Sequence, residues 1–101
     1  MPYIIETFDK PGSLDLRKAT REEHIDYLES QVEKLLACGA KLNDDGSDAG
    51  GGFYIVDVET RAEAEAFIAA DPFTKAGLFE RTAITRWRRG YLDRKSYLRP
   101  R

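Results

Sequence analysis

The sequence has very little of the residue types on which disulfide and metal chemistry depend. Its 101 residues include one cysteine, Cys38, and one histidine, His24. A single cysteine excludes a disulfide within the chain and any cage of several cysteine ligands, and it is typical of the reducing cytosol. A single imidazole excludes a metal site with several histidines in one chain, and no other side chain ordinarily titrates near neutral pH. We therefore expect a cytoplasmic protein without a bound metal.

Long apolar segments are also absent. The uncharged apolar runs are only a few residues long, as in Tyr3–Ile5, whereas a helix that spans a bilayer needs about 20 residues. No basic segment precedes an apolar stretch, so we expect neither a secretory signal nor a membrane partner. Hydrophobic residues make up 42% of the chain and charged residues 34%, which is typical of a globular domain and too apolar for a disordered chain.

The charge is unevenly distributed, although the net value is only −2. The six basic residues and one acidic residue of segment 88–101 give it a charge of +5, so the rest of the chain carries −7. A basic tail can indicate nucleic-acid binding, but the acidic body would repel phosphates, so we expect no nucleic-acid partner. The tail intersperses its charges with four apolar residues, Tyr91, Leu92, Tyr97 and Leu98. We predict a domain at residues 1–90 and a C-terminal extension at 91–101, folded as an amphipathic helical turn that packs on the domain or on a partner chain.

The spacing of apolar residues predicts elements in the order β-α-β-β-α-β. Thr20 and Thr60 are each followed by glutamate three residues later, which is the capping-box pattern of a helix start. Gly39 is predicted to end the first helix as a left-handed cap. The segment Asn43–Gly52 is expected to be a flexible hairpin loop, because it has neither the ligand spacing of a calcium loop nor the lysine of a phosphate-binding loop.

This order predicts an α+β fold of the ferredoxin-like type, in which two helices cover one face of a four-stranded antiparallel sheet. A sheet covered on one face only would alternate apolar and polar residues. The first strand does not: Ile4 and Phe8 lie on one side of it. Tyr3 and Ile5 lie on the other. Leaving several such side chains in water would cost several kcal/mol at about 25 cal/mol per Å2, so we expect a homodimer that packs sheet to sheet.

His24 and Asp71 are the candidate chemical residues. His24 is predicted near the start of the first helix, and Asp71 closes the second helix of the same layer. The two side chains can meet at the end of the sheet if the helices lie side by side, and a carboxylate would then set the imidazole tautomer. Each residue also has a purely structural interpretation: His24 as a packed core histidine, and Asp71 as an N-cap followed by Pro72 at the first helical position.

Residues spread over most of the chain resemble one protein family. They occur in this order: Tyr3-Ile4-Ile5, Asp9-Lys10, Arg17, Arg21, His24 to Leu28, Gly39 to Leu42, Gly50 to Phe53, Glu63-Ala64, Asp71-Pro72-Phe73, Ala76-Gly77-Leu78 and Trp87. This ordered set is similar to that of the YciI-like (YCII-related) proteins of the dimeric α/β-barrel group, which share a ferredoxin-like architecture with muconolactone isomerase. The extension after Gly90 departs from the short form of the pattern.

The resemblance implies that His24 and Asp71 form the active site. One characterised branch of the family removes chloride from a chlorinated hydroxyhydroquinone, and the architecture also hosts isomerases and monooxygenases of small aromatics. Because of the extension, the substrate of that branch is not transferred to this chain.

Two functions remain open at this point. In the first, the protein is a cofactor-free lyase or isomerase in which His24 removes a proton from a small phenolic or enolic substrate and Asp71 orients the ring. Arg17 or Arg21 would then pair with the developing oxyanion. Cys38 is not expected to act as a nucleophile, because the predicted helix C-terminus disfavours a thiolate. In the second, the protein is a non-catalytic dimeric module that binds a small ligand or a partner.

Overall fold

The computed structural model describes residues 1–99, so Pro100 and Arg101 of the predicted extension lie outside the described part of the chain. Four long strands are present: Tyr3–Asp9 (β1), Leu35–Leu42 (β2), Asp48–Val56 (β3) and Phe79–Arg86 (β4). The helices are Leu14–Ser30 (α1), Arg61–Ala69 (α2) and Pro72–Lys75 (α3), with a 3-10 turn at Val32–Lys34. Two short strands follow, Tyr91–Leu92 (β5) and Lys95–Ser96 (β6).

The four long strands form one sheet in the order β2-β3-β1-β4. Every neighbouring pair is antiparallel, with β1 and β3 at the centre and β2 and β4 at the edges. Because β3 lies between β1 and β2, the chain crosses over through α1 before the sheet is completed, as in a split β-α-β arrangement. The predicted ferredoxin-like α+β fold is confirmed.

One face of the sheet carries the main core. Tyr3 lies opposite Val56 in the register of β1 and β3, and Ile5 lies opposite Tyr54. These four side chains are at most 7% exposed. Helix α2 packs against them through three buried residues, Ala64, Phe67 and Ile68, and α1 adds two partly buried ones, Tyr27 and Leu28. Both helices therefore cover the same face, as predicted.

The opposite face, which we call the open face, is apolar but more exposed. Ile4 lies opposite Ile55 on this side, and Glu6 lies opposite Phe53. Phe53 is 39% exposed. The ring of Phe8 is flanked by two cations, with Lys41 Nζ 3.7 Å and Arg81 Cζ 3.8 Å from its centroid. The prediction of strands that are apolar on both faces therefore agrees with the register.

The first helix differs from its prediction at both ends. It begins at Leu14, after Ser13, and Thr20 is a buried residue in its interior, so the capping-box interpretation of Thr20 was wrong. Residues 14–19 are mostly good helix formers, and a helix that has started before Thr20 continues through it. The helix ends at Ser30, and Gly39 lies within β2 rather than at a helix cap. Pairing with β3 outweighed the helical spacing of the apolar residues that led into β2. Among the described helices, none is long and apolar enough to span a membrane.

The second helix follows its prediction closely. Thr60 is its N-cap, and the Thr60 hydroxyl accepts a hydrogen bond from the backbone N–H of Glu63 at 3.2 Å. The helix then runs to Ala69. The predicted helix start at Thr60 is confirmed, because no helix-forming segment precedes Thr60 to override it. The Glu63 carboxylate turns back to the Thr60 hydroxyl at 3.1 Å, rather than to the Thr60 backbone N–H as in a complete capping box.

Half of the glycine-rich segment, from Asp48 onward, is strand rather than loop. Only a tight turn remains, in which the backbone N–H of Asn43 donates to the Ser47 carbonyl at 2.8 Å, and Asp48 already belongs to β3. The glycines let β3 approach its neighbour closely. A Cβ on Gly51 would collide with the carbonyl oxygen of Thr7, so this position of the strand requires glycine.

The C-terminal extension is a hairpin rather than the predicted helical turn. Strands β5 and β6 are antiparallel, and the two turn residues, Asp93 and Arg94, have positive φ values of 52° and 63°. Three of its apolar side chains remain exposed within the chain: Tyr91 at 68%, Tyr97 at 47% and Leu98 at 58%. Packing of these side chains on the protein's own domain is therefore not observed.

Candidate functional site

His24 and Asp71 lie in direct contact at one end of the helix layer. His24 Nδ1 is 2.9 Å from both carboxylate oxygens of Asp71, although the residues are 47 positions apart in sequence. The histidine lies in the third turn of α1, in the middle of the helix rather than near its start as predicted. The aspartate lies between α2 and α3. The Asp71 side chain is fully buried, whereas His24 is 13% exposed. The imidazole therefore stands between a buried carboxylate and the protein surface.

Asp71 also serves as the predicted N-cap of α3. Its Oδ1 accepts a hydrogen bond from the backbone N–H of Phe73 at 2.9 Å, and Pro72 occupies the first turn of the short helix. Proline at this position has no N–H to leave unsatisfied. The cap fixes the carboxylate while leaving acceptor positions for the imidazole, so the structural and chemical interpretations of Asp71 are compatible.

Tyr54 is a third member of this polar cluster. Its hydroxyl donates to Asp71 Oδ2 at 3.2 Å, and its side chain is only 2% exposed. Burial raises the pKa of Tyr54 far above its ordinary value, and the negative charge of Asp71 raises it further. The phenol therefore stays protonated and donates to the carboxylate.

An aromatic and cationic stack holds the imidazole from the side. The ring of Phe73 is stacked on His24 with centroids 3.9 Å apart. The Arg17 guanidinium lies 4.8 Å from the Phe73 centroid. Arg17 is held in turn by Asp9, with Nε 2.7 Å from Oδ2 and Nη2 3.2 Å from Oδ1. Burial lowers the pKa of Arg17, but the hydrogen bond and charge of Asp9 outweigh that effect and raise it overall.

A groove of about 220 Å3 opens beside His24, between α1 and the edge strand β2. Its α1 wall carries Arg17, Arg21 and His24, which lie on one side of the helix because they are four and three positions apart. The β2 wall is made of small residues, Cys38, Gly39 and Ala40. The groove is large enough for a small ligand, and its two arginines and its histidine all lie on the α1 wall.

The two arginines proposed from the sequence are in different situations. The guanidinium of Arg17 is already paired with Asp9. Arg21 is exposed on the groove wall, and among residues 1–99 the ion pairs do not include it. Arg21 is therefore the groove cation that has its donors available.

The sequence pattern of the YCII-related domain matches residues 1–88. The chain belongs to the YCII-related family. It is 31% identical over 91 residues to protein YciI of Escherichia coli, which covers 83% of this chain and 93% of that protein. It is 35% identical over 86 residues to an uncharacterised Haemophilus influenzae protein, covering 78% of this chain and 88% of that protein.

A solved structure of this type belongs to an enzyme. The chain resembles the 5-chloro-2-hydroxyhydroquinone dehydrochlorinase of Burkholderia phenoliruptrix, in complex with 2,5-dihydroxybenzoquinone, with a TM-score of 0.82. The two are 38% identical in sequence, and the alignment covers 89% of this chain and 96% of the dehydrochlorinase. The resemblance to the family that we described from the sequence is therefore confirmed.

Two residues around the His24–Asp71 pair, Tyr54 and Phe73, were not predicted from the sequence. A third residue, Cys38, was placed in the wrong secondary-structure element. Tyr54 was not among the candidate residues, although a buried tyrosine hydroxyl usually needs a partner and that need was a usable signal. The stacking of Phe73 on His24 had no sequence signal of its own. Cys38 lies on exposed strand β2 rather than at a helix end. Desolvation of the sulfur, together with the charge of Asp71, raises the pKa of Cys38 to about 11, so a thiolate is still disfavoured there.

Proposed function

We propose that this protein is a cofactor-free enzyme that performs acid–base chemistry of the lyase or isomerase type on a small aromatic or enolic substrate. The observation that carries the proposal is the His24–Asp71 contact at the wall of a groove. The likeness to a dehydrochlorinase over most of the chain supports the same class of reaction. A carboxylate on one nitrogen of an imidazole leaves the other nitrogen for proton transfer.

In this proposal Nε2 of His24 is the general base. Asp71 engages Nδ1, so the lone pair available to a substrate is the one on Nε2. The base removes a proton from a phenolic or enolic hydroxyl, and the buried charge of Asp71 stabilises the imidazolium that forms. The imidazolium then returns the proton at another substrate atom or to a leaving group. A positioned acid–base group of this kind contributes about 10²–10⁴-fold to the rate.

Arg21 binds the anionic form of the substrate in this proposal. It lies one helical turn from His24 on the same groove wall, and an unpaired guanidinium is suited to an oxyanion. Arg17 has a supporting role, because Asp9 already occupies its donors. Its guanidinium packs near Phe73 and so holds the ring that stacks on the histidine.

We further propose that the functional unit is a homodimer joined through the open face. The apolar side chains there, with Phe53 at 39% exposed, would be covered by the same face of a second copy. Burial of such residues contributes about 25 cal/mol per Å2. The exposed apolar residues of the β5–β6 hairpin would pack on the partner subunit, since they bury little on their own chain.

The test uses small dihydroxylated rings as probes, namely 5-chloro-2-hydroxyhydroquinone for turnover and 2,5-dihydroxybenzoquinone for binding. We expect binding to perturb the NMR signals of the groove residues and turnover of a ring of this class to fall by about 10²–10⁴-fold in the His24→Gln variant. Glu22→Gln, an exposed change two residues away on α1, is the matched control and should keep full activity.

The alternative, a non-catalytic binding module, predicts a different result. Binding at the groove without turnover of any phenolic or enolic probe, and with equal affinity in the wild type and His24→Gln, would contradict the enzyme proposal. Loss of turnover in both His24→Gln and Glu22→Gln would also contradict it, because the effect would then not depend on the imidazole.

A further inference from the structure

Tyr54 is a buried polar residue to which the proposed proton transfer assigns no part. It lies on the central strand β3, opposite Ile5 of β1, on the face covered by the helices. Its hydroxyl reaches Asp71 from the sheet, 3.2 Å from Oδ2. The imidazole reaches the same carboxylate from α1, and the backbone N–H of Phe73 reaches it from α3. Three elements therefore direct hydrogen-bonding groups at one carboxylate.

Two of these three groups can only act as donors in practice. A backbone N–H is a donor, does not ionise at ordinary pH and has no lone pair to offer. The Tyr54 phenol keeps its proton because burial and the Asp71 charge both raise its pKa. Donors aimed at both oxygens of a carboxylate favour its ionised form. An ionised Asp71 can accept from His24 but has no proton to give it.

We propose that Tyr54 is a positioning residue whose hydroxyl holds Asp71 as an ionised acceptor and thereby fixes His24 in the tautomer with its proton on Nδ1. The lone pair of the imidazole then lies on Nε2, as a general base requires. The inference rests on the proposed function for its purpose, because a fixed tautomer matters to a proton acceptor. It does not need a substrate for its test.

Other charged or titratable groups surround this cluster. Arg17 and Arg21 stand on α1, and Cys38 stands on β2 across the groove. Arg17 is paired with Asp9, and the raised pKa of the Cys38 thiol, which desolvation and the charge of Asp71 cause, keeps it neutral. Asp71 is thus the carboxylate in direct contact with the imidazole, and Tyr54 is the side-chain hydroxyl that donates to it.

The experiment is a 15N NMR titration of the His24 imidazole in Tyr54→Phe, without substrate. His24 is the only histidine of the chain, so its two ring nitrogens are observed without overlap. Without the phenolic donor, Asp71 becomes more basic and holds the imidazolium more strongly. We expect the titration midpoint to move to higher pH by about half a unit.

The matched control is Tyr27→Phe. The Tyr27 hydroxyl donates to the Phe67 carbonyl at 2.7 Å, so this variant also removes one tyrosine hydroxyl and one hydrogen bond from the same core. It leaves the donors on Asp71 intact and should titrate like the wild type. A titration in Tyr54→Phe that matches Tyr27→Phe would overturn the inference.

A second comparison separates a path through Asp71 from a general loss of packing. In an Asp71→Asn background the carboxylate is gone, so adding Tyr54→Phe should no longer move the midpoint. An equal shift in both backgrounds would contradict a role through Asp71. If Tyr54→Phe shifts the titration as expected but no probe is turned over, the enzyme proposal fails while the positioning role of Tyr54 stands.

Discussion

The two faces of the same sheet are built from similar apolar residues, but the helices bury one face and leave the other partly exposed. On the covered face, Ile5 and Tyr54 are almost fully buried, and the polar atoms of Tyr54 and Asp71 meet each other. On the open face, Phe53 remains 39% exposed, and the side chains of Lys41 and Arg81 flank the ring of Phe8. The covered face is complete within one chain. The open face is complete only with a partner, in the assembly proposed above.

This comparison separates chemistry from assembly. The His24–Asp71–Tyr54 cluster is held by α1, β3 and the α2–α3 junction of a single chain. A second copy is therefore not required to bring these side chains together. Changes on the covered face should alter stability and proton affinity, and changes on the open face should alter the oligomeric state.

The largest expected effect is on the covered face, from Asp71→Ala. The change removes the acceptor of three groups, the His24 imidazole, the Tyr54 hydroxyl and the Phe73 N–H. Buried donors without partners cost about 1–3 kcal/mol each, so we expect the free energy of unfolding to fall by about 3 kcal/mol or more. Urea denaturation measures it. Asp71→Asn, which keeps one acceptor oxygen for the cap, should lose clearly less; equal losses would contradict this account of the site.

The next effect is on the open face, from Phe53→Lys. A lysine at this exposed strand position would add a charge to the proposed interface, where burial of a charge is costly. Glu6 on the neighbouring strand would compensate it only in part, because that carboxylate already pairs with Lys41. We expect the dimer dissociation constant to rise about 100-fold, which corresponds to about 2.7 kcal/mol. Sedimentation equilibrium measures it.

The control for this variant is Ala19→Lys, which adds the same charge at an exposed position of α1 and should leave the dimer intact. A wild-type protein that remains at 11.5 kDa by light scattering at micromolar concentration would contradict the dimer itself.

A smaller effect is expected from truncation after Gly90, which sharpens the comparison by removing the hairpin alone. Tyr91, Tyr97 and Leu98 bury little on their own chain, so the melting temperature of the dissociated subunit should change little. We expect the dimer dissociation constant to rise about tenfold, or about 1.4 kcal/mol, with no change in nucleic-acid binding. If truncation left the dimer constant unchanged, the hairpin would not be part of the interface. Tight binding of DNA or RNA by the full chain at physiological salt would instead support a nucleic-acid-binding tail, which we did not expect because the rest of the chain is acidic.

The smallest effect concerns the stability of the covered face at alkaline pH. Burial first, and the charge of Asp71 second, raise the pKa of Tyr54 above its ordinary value of 10.0. Above that pH the unfolded chain releases the phenolic proton while the folded chain keeps it, so stability present below pH 10 is lost as the pH rises. A group that titrates only in the unfolded state lowers stability by about 1.4 kcal/mol per pH unit.

Unfolding free energies of the wild type and Tyr54→Phe between pH 8 and 11 test this expectation. The variant should lose stability less steeply above pH 10 than the wild type does. Tyr27 also has a raised pKa, caused by burial and the charge of Asp71, so the slope of the variant should be reduced rather than abolished. Parallel curves for the two proteins would show that Tyr54 does not hold its proton in this way.

The predictions from sequence succeeded where a local pattern was not in competition with another. Thr60 starts α2 as a capping residue, and Asp71 with Pro72 starts α3. Thr20 has the same local pattern as Thr60, yet it lies inside α1 because residues 14–19 also form helix. Capping patterns stabilise a helix end by about 1 kcal/mol, which is not enough to interrupt a longer helix that packs on the sheet.

The prediction of a helical turn in the C-terminal extension was wrong, because its short apolar pattern also fits a hairpin. A spacing of seven residues between Tyr91 and Leu98 fits two helical turns, but Asp93 and Arg94 adopt left-handed backbone conformations that reverse the chain instead. Aspartate tolerates that conformation better than most residues. The same spacing therefore fits a hairpin as well as a helix, and apolar periodicity over so short a segment does not distinguish them.

The sequence by itself determined the order of the four long strands and of the two helices that cover them, the apolar character of both sheet faces and the identity of the only histidine, because these follow from local spacing and composition. It also placed His24 and Asp71 on neighbouring helices of one layer. Only the tertiary structure decided that Tyr54 reaches the same carboxylate, that Phe73 stacks on the imidazole, and that Arg17 is engaged by Asp9 while Arg21 faces the groove. These contacts join residues far apart in the chain, and their geometry depends on strand register and helix packing, which no local pattern encodes.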